Sequence, residues 1–175
     1  MEFSQYVSAA KSAIAYVQQT VRYRGLNTAG GWIRHPTEMN EKVVARVASK
    51  IVGSSRSAQY SGPFDGDVYI NELDRLAKET STGNCSELSA VAFNYLRNQG
   101  VRPIDYFAVW RGAWNHAFVV LNRPADQPLA RFDQWSRYAV VCDPLYDRAG
   151  DAGFLATWYP KIYPFTDKDM LRRLE

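Results

Sequence analysis

The chain has 175 residues, the length of one ordinary domain, and its 46% apolar and 14% aromatic content is too high for a disordered segment. A net charge of +3 is spread over interspersed acidic and basic residues with no Lys/Arg run longer than two, so there is no electrostatic footprint for nucleic acid. No stretch reaches transmembrane length, and two histidines and two cysteines without ligand-like spacing make a poor metal site, so no membrane span, metal or other cofactor is expected.

The first predicted element is a helix over 3–22. Phe3, Val7, Ala10, Ile14, Val17 and Val21 recur at spacings of four and three, while Lys11, Gln18 and Gln19 interrupt any continuous apolar run. This is an amphipathic helix packed on a core, without the charged-then-apolar pattern of a leader. A glycine-rich connection follows through Gly25, Gly30 and Gly31, with His35 as a solvated loop residue in Arg34-His35-Pro36. A second helix is predicted near 40–52 on Val43, Val44, Val47, Ile51 and Val52, then a polar loop from Gly53 to Pro63, then a helix over 67–78 on Val68, Ile70, Leu73, Leu76 and Ala77.

The next helix opens at Gly83-Asn84-Cys85-Ser86-Glu87-Leu88. Asn84 is a favourable N-cap and Glu87 stands three residues on, a variant of the capping box in which each side chain satisfies an orphan amide of the first turn. Leu88, Val91, Ala92, Tyr95 and Leu96 form the buried stripe and Gly100 supplies the stop. Cys85 therefore falls at the first helical position, where the positive end of the helix dipole favours thiolate over thiol and lowers a free-cysteine pKa of about 8.5. Gly83 and Ser86 are small neighbours that leave room for a substrate carbonyl.

A strand is predicted at 104–110, followed by a second in Ala113-Trp114-Asn115-His116-Ala117-Phe118-Val119-Val120-Leu121. Period-two alternation puts Trp114, His116, Phe118 and Val120 on one face and Ala117, Val119 and Leu121 on the other, so His116 shares a face with large apolar groups and needs a partner. After a polar connection over 122–134, the strand Tyr138-Ala139-Val140-Val141-Cys142-Asp143 ends at Pro144, which fixes the Asp143 carboxylate at a strand end. Cys142 faces the other way and belongs to the core, so both thiols are expected reduced. The segment 150–175 is aromatic and punctuated by proline, with a short helix from Asp167 and Arg172-Arg173 as its terminal basic pair. Helices followed by consecutive strands give an α+β fold with an antiparallel sheet against which the Cys85 helix packs.

A cysteine on a helix start, then a histidine and an aspartate on strands, resembles the Cys-His-Asp set of papain-like bacterial toxins and effectors, a group that includes YopT-type proteases and the deamidase domains of the dermonecrotic toxin class. Transglutaminases belong to the same broader clan. The resemblance covers residues 80–147. It implies a papain-like domain over 1–175, with 1–79 helical, 80–147 the catalytic core and 148–175 an aromatic C-terminal segment. It also implies Cys85 as nucleophile, His116 as general base and acid, and Asp143 as the group that orients His116.

The chemistry of such a set is thiol acyl transfer: the thiolate attacks a carbonyl carbon, the imidazole protonates the departing amine or ammonia, and water or another amine resolves the thioester. The Cys85 amide is one oxyanion donor, because helix-start amides are unpaired. Asn84, Gln59 and Asn115 are candidates for the second, and Trp110 and Trp114, flanking the turn at Arg111-Gly112-Ala113, are candidates to line the substrate entrance. The expected function is deamidation of glutamine or asparagine side chains on a target protein. Proteolysis and transglutamination use the same groups, and a noncatalytic protein-binding module on the same scaffold is the alternative of another class. By the resemblance, the protein is made in a bacterial cytoplasm and delivered by a leaderless route, with an immunity protein or chaperone as a further partner class.

Overall fold

A computed structural model of the chain describes residues 1–25, 65–112 and 114–175. The helix expected near 40–52, together with His35 and Gln59, lies outside them. Helix α1 (Phe3–Thr20) leads into a two-residue strand β1 (Tyr23–Arg24), and after the undescribed segment come α2 (Gly66–Thr80), β2 (Thr82–Gly83) and α3 (Cys85–Asn98). The strands β3 (Ile104–Arg111), β4 (Trp114–Leu121), β5 (Val140–Asp143), β6 (Arg148–Asp151) and β7 (Met170–Leu174) form an antiparallel sheet in the order β6-β5-β4-β3-β7. Strands β1 and β2 pair in parallel and carry the chain to the start of α3.

The sheet is covered on both faces, and strand alternation sorts the side chains. Ala108, Ala117, Val119, Leu121, Val140 and Cys142 face the helices, packing with Ala10, Ala13, Ile14 and Val17 of α1 and with Leu88, Val91, Ala92 and Leu96 of α3. The buried stripe of α1 runs through Tyr6 rather than Phe3, which is 41% exposed, and this apolar face is spent on α3, β5 and β6. Phe107, Val109, Phe118, Val120 and Val141 face the opposite side, where Phe132, Trp135, Leu155, Ile162 and Phe165 cover them. Each such side chain, fully buried, contributes about 1.5–3 kcal/mol.

The helices predicted over 3–22 and 67–78 and from Cys85 hold with small shifts: α2 begins at Gly66 behind an Asp65 cap that accepts from the Asp67 and Val68 amides, and its Val68 points outward. The C-terminus departs from expectation. Asp167–Asp169 is a single 3-10 turn, and Met170–Leu174 is an edge strand on β3 rather than a helix. Arg172 and Arg173 alternate across this strand, Arg172 pairing with Asp67 of α2 at 2.8 Å and Arg173 with Asp105 of β3 at 2.9 Å. They are tethers on opposite faces of an edge strand, not a helix-terminal pair. Among the described residues no helix is long and apolar enough to cross a membrane.

Candidate active site

The site begins with a strand that stops early. The ladder between β4 and β5 ends at the pair Val119↔Cys142, although β4 itself starts at Trp114. The backbone of Ala117 meets α3 instead: the Ser89 hydroxyl donates to the Ala117 carbonyl at 2.9 Å, and the Ala117 amide lies beside the Cys85 sulfur and favours its thiolate. The first turn of α3 thus occupies the ground a longer β5 would have held, which brings Cys85 to the flank of β4 beside His116.

The helix start is built as its sequence predicts. Asn84 and Glu87 form the reciprocal capping box, with the Asn84 N–H donating to the Glu87 carboxylate at 3.0 Å. Gly83 serves a different purpose from the one expected. A β-carbon there would stand 2.8 Å from Cδ2 of buried Leu88, so the room it leaves is filled by the protein's own core. The Ser86 hydroxyl lies near the Cys85 sulfur and favours its thiolate.

The three candidate residues come together. His116 Nε2 lies 2.7 Å from Asp143 Oδ2, and the Cys85 thiol is in hydrogen-bonding reach of the imidazole. With Nε2 engaged by the carboxylate, Nδ1 is the nitrogen left for the sulfur. Asp143 Oδ1 accepts from the backbone amides of Leu145 at 3.0 Å and Tyr146 at 3.4 Å, an arrangement that Pro144 and the turn after β5 impose. Cys85 and His116 are each 7% exposed, and Asp143 is fully buried.

Burial pushes the Cys85 thiol up, but the His116 hydrogen bond and charge, the Ala117 amide and the Ser86 hydroxyl together hold its pKa below the ordinary value. Burial disfavours the His116 cation, but hydrogen bonds and charge from Asp143 and Cys85 raise its pKa to about 9. Both shifts favour a thiolate–imidazolium pair at neutral pH. Cys142 is the opposite case. Fully buried with its sulfur 3.6 Å from the Ala10 carbonyl, its thiol is driven far up by burial and by Asp143. Both cysteines are free, as expected.

The other sequence candidates divide. The Asn84 side-chain oxygen accepts from the Glu87 amide in the capping box, which fixes the side chain at the helix start, and any part in an oxyanion hole would fall to its Nδ2 group. The register pairs Trp110 with Asn115 and Arg111 with Trp114, so Trp110 and Asn115 sit on the helix side of the hairpin while Trp114 shares the His116 side. Trp110 and Trp114 are about half exposed, at 54% and 53%, and therefore stand on opposite faces instead of forming one wall. Lys161 lies over the Trp114 ring at 3.5 Å.

Two groups were not foreseen. Tyr69 of α2 meets the Ser86 hydroxyl, its phenol pKa raised by burial and by Glu87 and Cys85. Tyr159 donates its hydroxyl to Asp143 Oδ2 and lies tilted against the His116 ring at 4.7 Å, with Tyr146 at 5.4 Å and Phe118 at 5.9 Å completing an aromatic surround. The only trace of Tyr159 in the sequence is the aromatic density of its segment. Among the described residues no group of three His, Cys, Asp or Glu side chains is placed to hold a metal ion.

No family model, curated protein or solved structure matches the chain.

Proposed function

We propose that the chain is a cysteine-dependent enzyme with a papain-like arrangement that deamidates glutamine or asparagine side chains of a target protein, as a bacterial toxin or effector. The observation that carries this reading is the line Cys85–His116–Asp143, in which a helix-start thiol, a strand imidazole and a strand-end carboxylate from three elements lie in hydrogen-bonding sequence. The Cys85 thiolate attacks the carboxamide carbon, and the developing oxyanion is met by the Cys85 N–H, which α-helix geometry leaves without an intrahelical partner. The His116 imidazolium gives its proton to the departing ammonia, leaving a thioester on Cys85. Neutral His116 then takes a proton from the water that attacks the thioester, and the thiolate and a side-chain carboxylate are released. Asp143 accepts Nε2–H in this scheme, so that Nδ1 keeps facing the sulfur.

The narrow access supports deamidation over proteolysis. With the residues Cys85 and His116 each 7% exposed, a terminal carboxamide can enter end-on, whereas a backbone amide must bring chain with it on both sides. Incubation of candidate target proteins with wild type and with Cys85→Ala, followed by intact-mass analysis, tests the reading. A wild-type-only gain of about one dalton per modified side chain is expected. Fragments or cross-linked species would transfer the same site to proteolysis or transglutamination, and identical spectra for both proteins would overturn the enzymatic reading.

A further inference from the structure

Tyr159 reaches the site from the C-terminal segment, between a short helix α4 (Leu155–Trp158) and the residues Ile162 and Phe165 that cover the sheet alongside it. We propose that Tyr159 is a positioning residue for the chemistry of Cys85: its hydroxyl holds the Asp143 carboxylate and its ring holds the His116 imidazole, so that Nδ1 stays turned to the sulfur. The inference rests on the reading of Cys85 as nucleophile.

The carboxylate is held at two ends by different means. Oδ1 is fixed by the two backbone amides of Leu145 and Tyr146, while Oδ2 receives Nε2–H of His116 and the Tyr159 hydroxyl. Without the phenol, the Oδ2 end is tied only to the imidazole it is meant to orient, and carboxylate and ring can turn together. The direction of donation is fixed from behind. The Arg148 guanidinium lies beside the Tyr159 phenol and has only donors to offer it, so the phenol proton goes to Asp143. Burial and Asp143 keep that phenol protonated. Arg148 is itself seated over the rings of Tyr146, Trp158 and Tyr159 at 5.0, 5.1 and 5.1 Å. A tyrosine kept only to fill the core would need its ring and not this hydroxyl.

The test is the pH–rate profile of Cys85 alkylation by iodoacetamide, resolved by peptide mass, in wild type, Tyr159→Phe and Arg148→Met. Tyr159→Phe keeps the ring against His116, so its expected effect is specific: the acid limb moves up by about one pH unit, a loss of about tenfold in rate on that limb, while the alkaline plateau is unchanged. Arg148→Met, which leaves the hydroxyl in place but unsteered, is expected to move the limb in the same direction by less. An acid limb that stays in place or moves down in Tyr159→Phe overturns the positioning role, because a purely structural loss does not shift it and removal of a mere competitor for Oδ2 would strengthen the ion pair. If Tyr159→Phe does not fold, an unmoved limb in Arg148→Met overturns it instead. A wild-type profile with an ordinary thiol limb would overturn the nucleophile reading and this inference with it.

Discussion

Cys85 and His116 are pulled in opposite directions by burial and by each other, and the balance has a testable sign. The thiol pKa is lowered, so thiolate is present below the ordinary thiol range; the imidazole is raised to about 9, so its proton is retained up to there. In the proposed reaction turnover needs both a thiolate and a proton on His116, and is expected to follow a bell whose alkaline limb lies near 9. Alkylation needs the thiolate alone and should not fall on that limb. A turnover rate that keeps rising across the alkaline limb would contradict the assignment of His116 as the acid. The parts of this site legible in the sequence are the local ones: Asn84, Cys85 and Glu87 are neighbours on one helical turn, and strand parity places His116 among apolar groups and sends Cys142 the other way. Tyr159 and Arg148 were not legible, because their contacts with Asp143 and with each other are made by the folding back of the C-terminal segment and leave no spacing to read.

Docking of α3 in the notch left by β5 depends on few groups. Ser89→Ala would leave the buried Ala117 carbonyl without the Ser89 hydroxyl, and is expected to cost about 1–3 kcal/mol in denaturant unfolding while slowing Cys85 alkylation, since the same docking brings the sulfur to the ring. Unchanged stability and reactivity would show that α3 is held by its apolar stripe alone. Gly83→Ala drives a methyl into Leu88 and is expected to destabilise by about 1–3 kcal/mol, with Gly83→Ala/Leu88→Ala less destabilised than the sum of the single changes. Additive losses in that cycle would place the strain elsewhere. At this scale α1, α2 and α3 were readable from their period and caps, whereas β7 was not. Asp167-Lys168-Asp169 followed by Met-Leu-Arg-Arg-Leu reads as a capped helix, and what makes it a strand is the open edge of β3 with Asp67 and Asp105 waiting on its two sides.

Across the whole molecule, a buried charge cluster ties the far end of the sheet. Asp105 is fully buried and accepts from Arg123 at 2.6 Å and from Arg173 at 2.9 Å, joining β3, the chain after β4 and β7. Burial raises the Asp105 carboxyl despite the two guanidiniums, so the cluster adds little net stability while intact, but breaking it is costly. Asp105→Ala is expected to lose about 3–5 kcal/mol, and Arg131→Ala, at a pair with side chains 57% and 71% exposed, less than about 0.5 kcal/mol; equal losses by thermal unfolding would contradict this weighting. The α+β class and the antiparallel sheet followed from the order of helical and alternating segments, but the pairing of β7 with β3 and the short β5 that opens the site are global outcomes of packing. The account stands on folding having joined the Cys85 sulfur to the His116 ring. Peptide-resolved iodoacetamide labelling of wild type and His116→Ala at mildly acidic pH measures this: Cys85 should react far faster than Cys142 in wild type and lose at least about tenfold in the variant. Equal, slow labelling of both cysteines, or a Cys85 rate indifferent to His116, would contradict it.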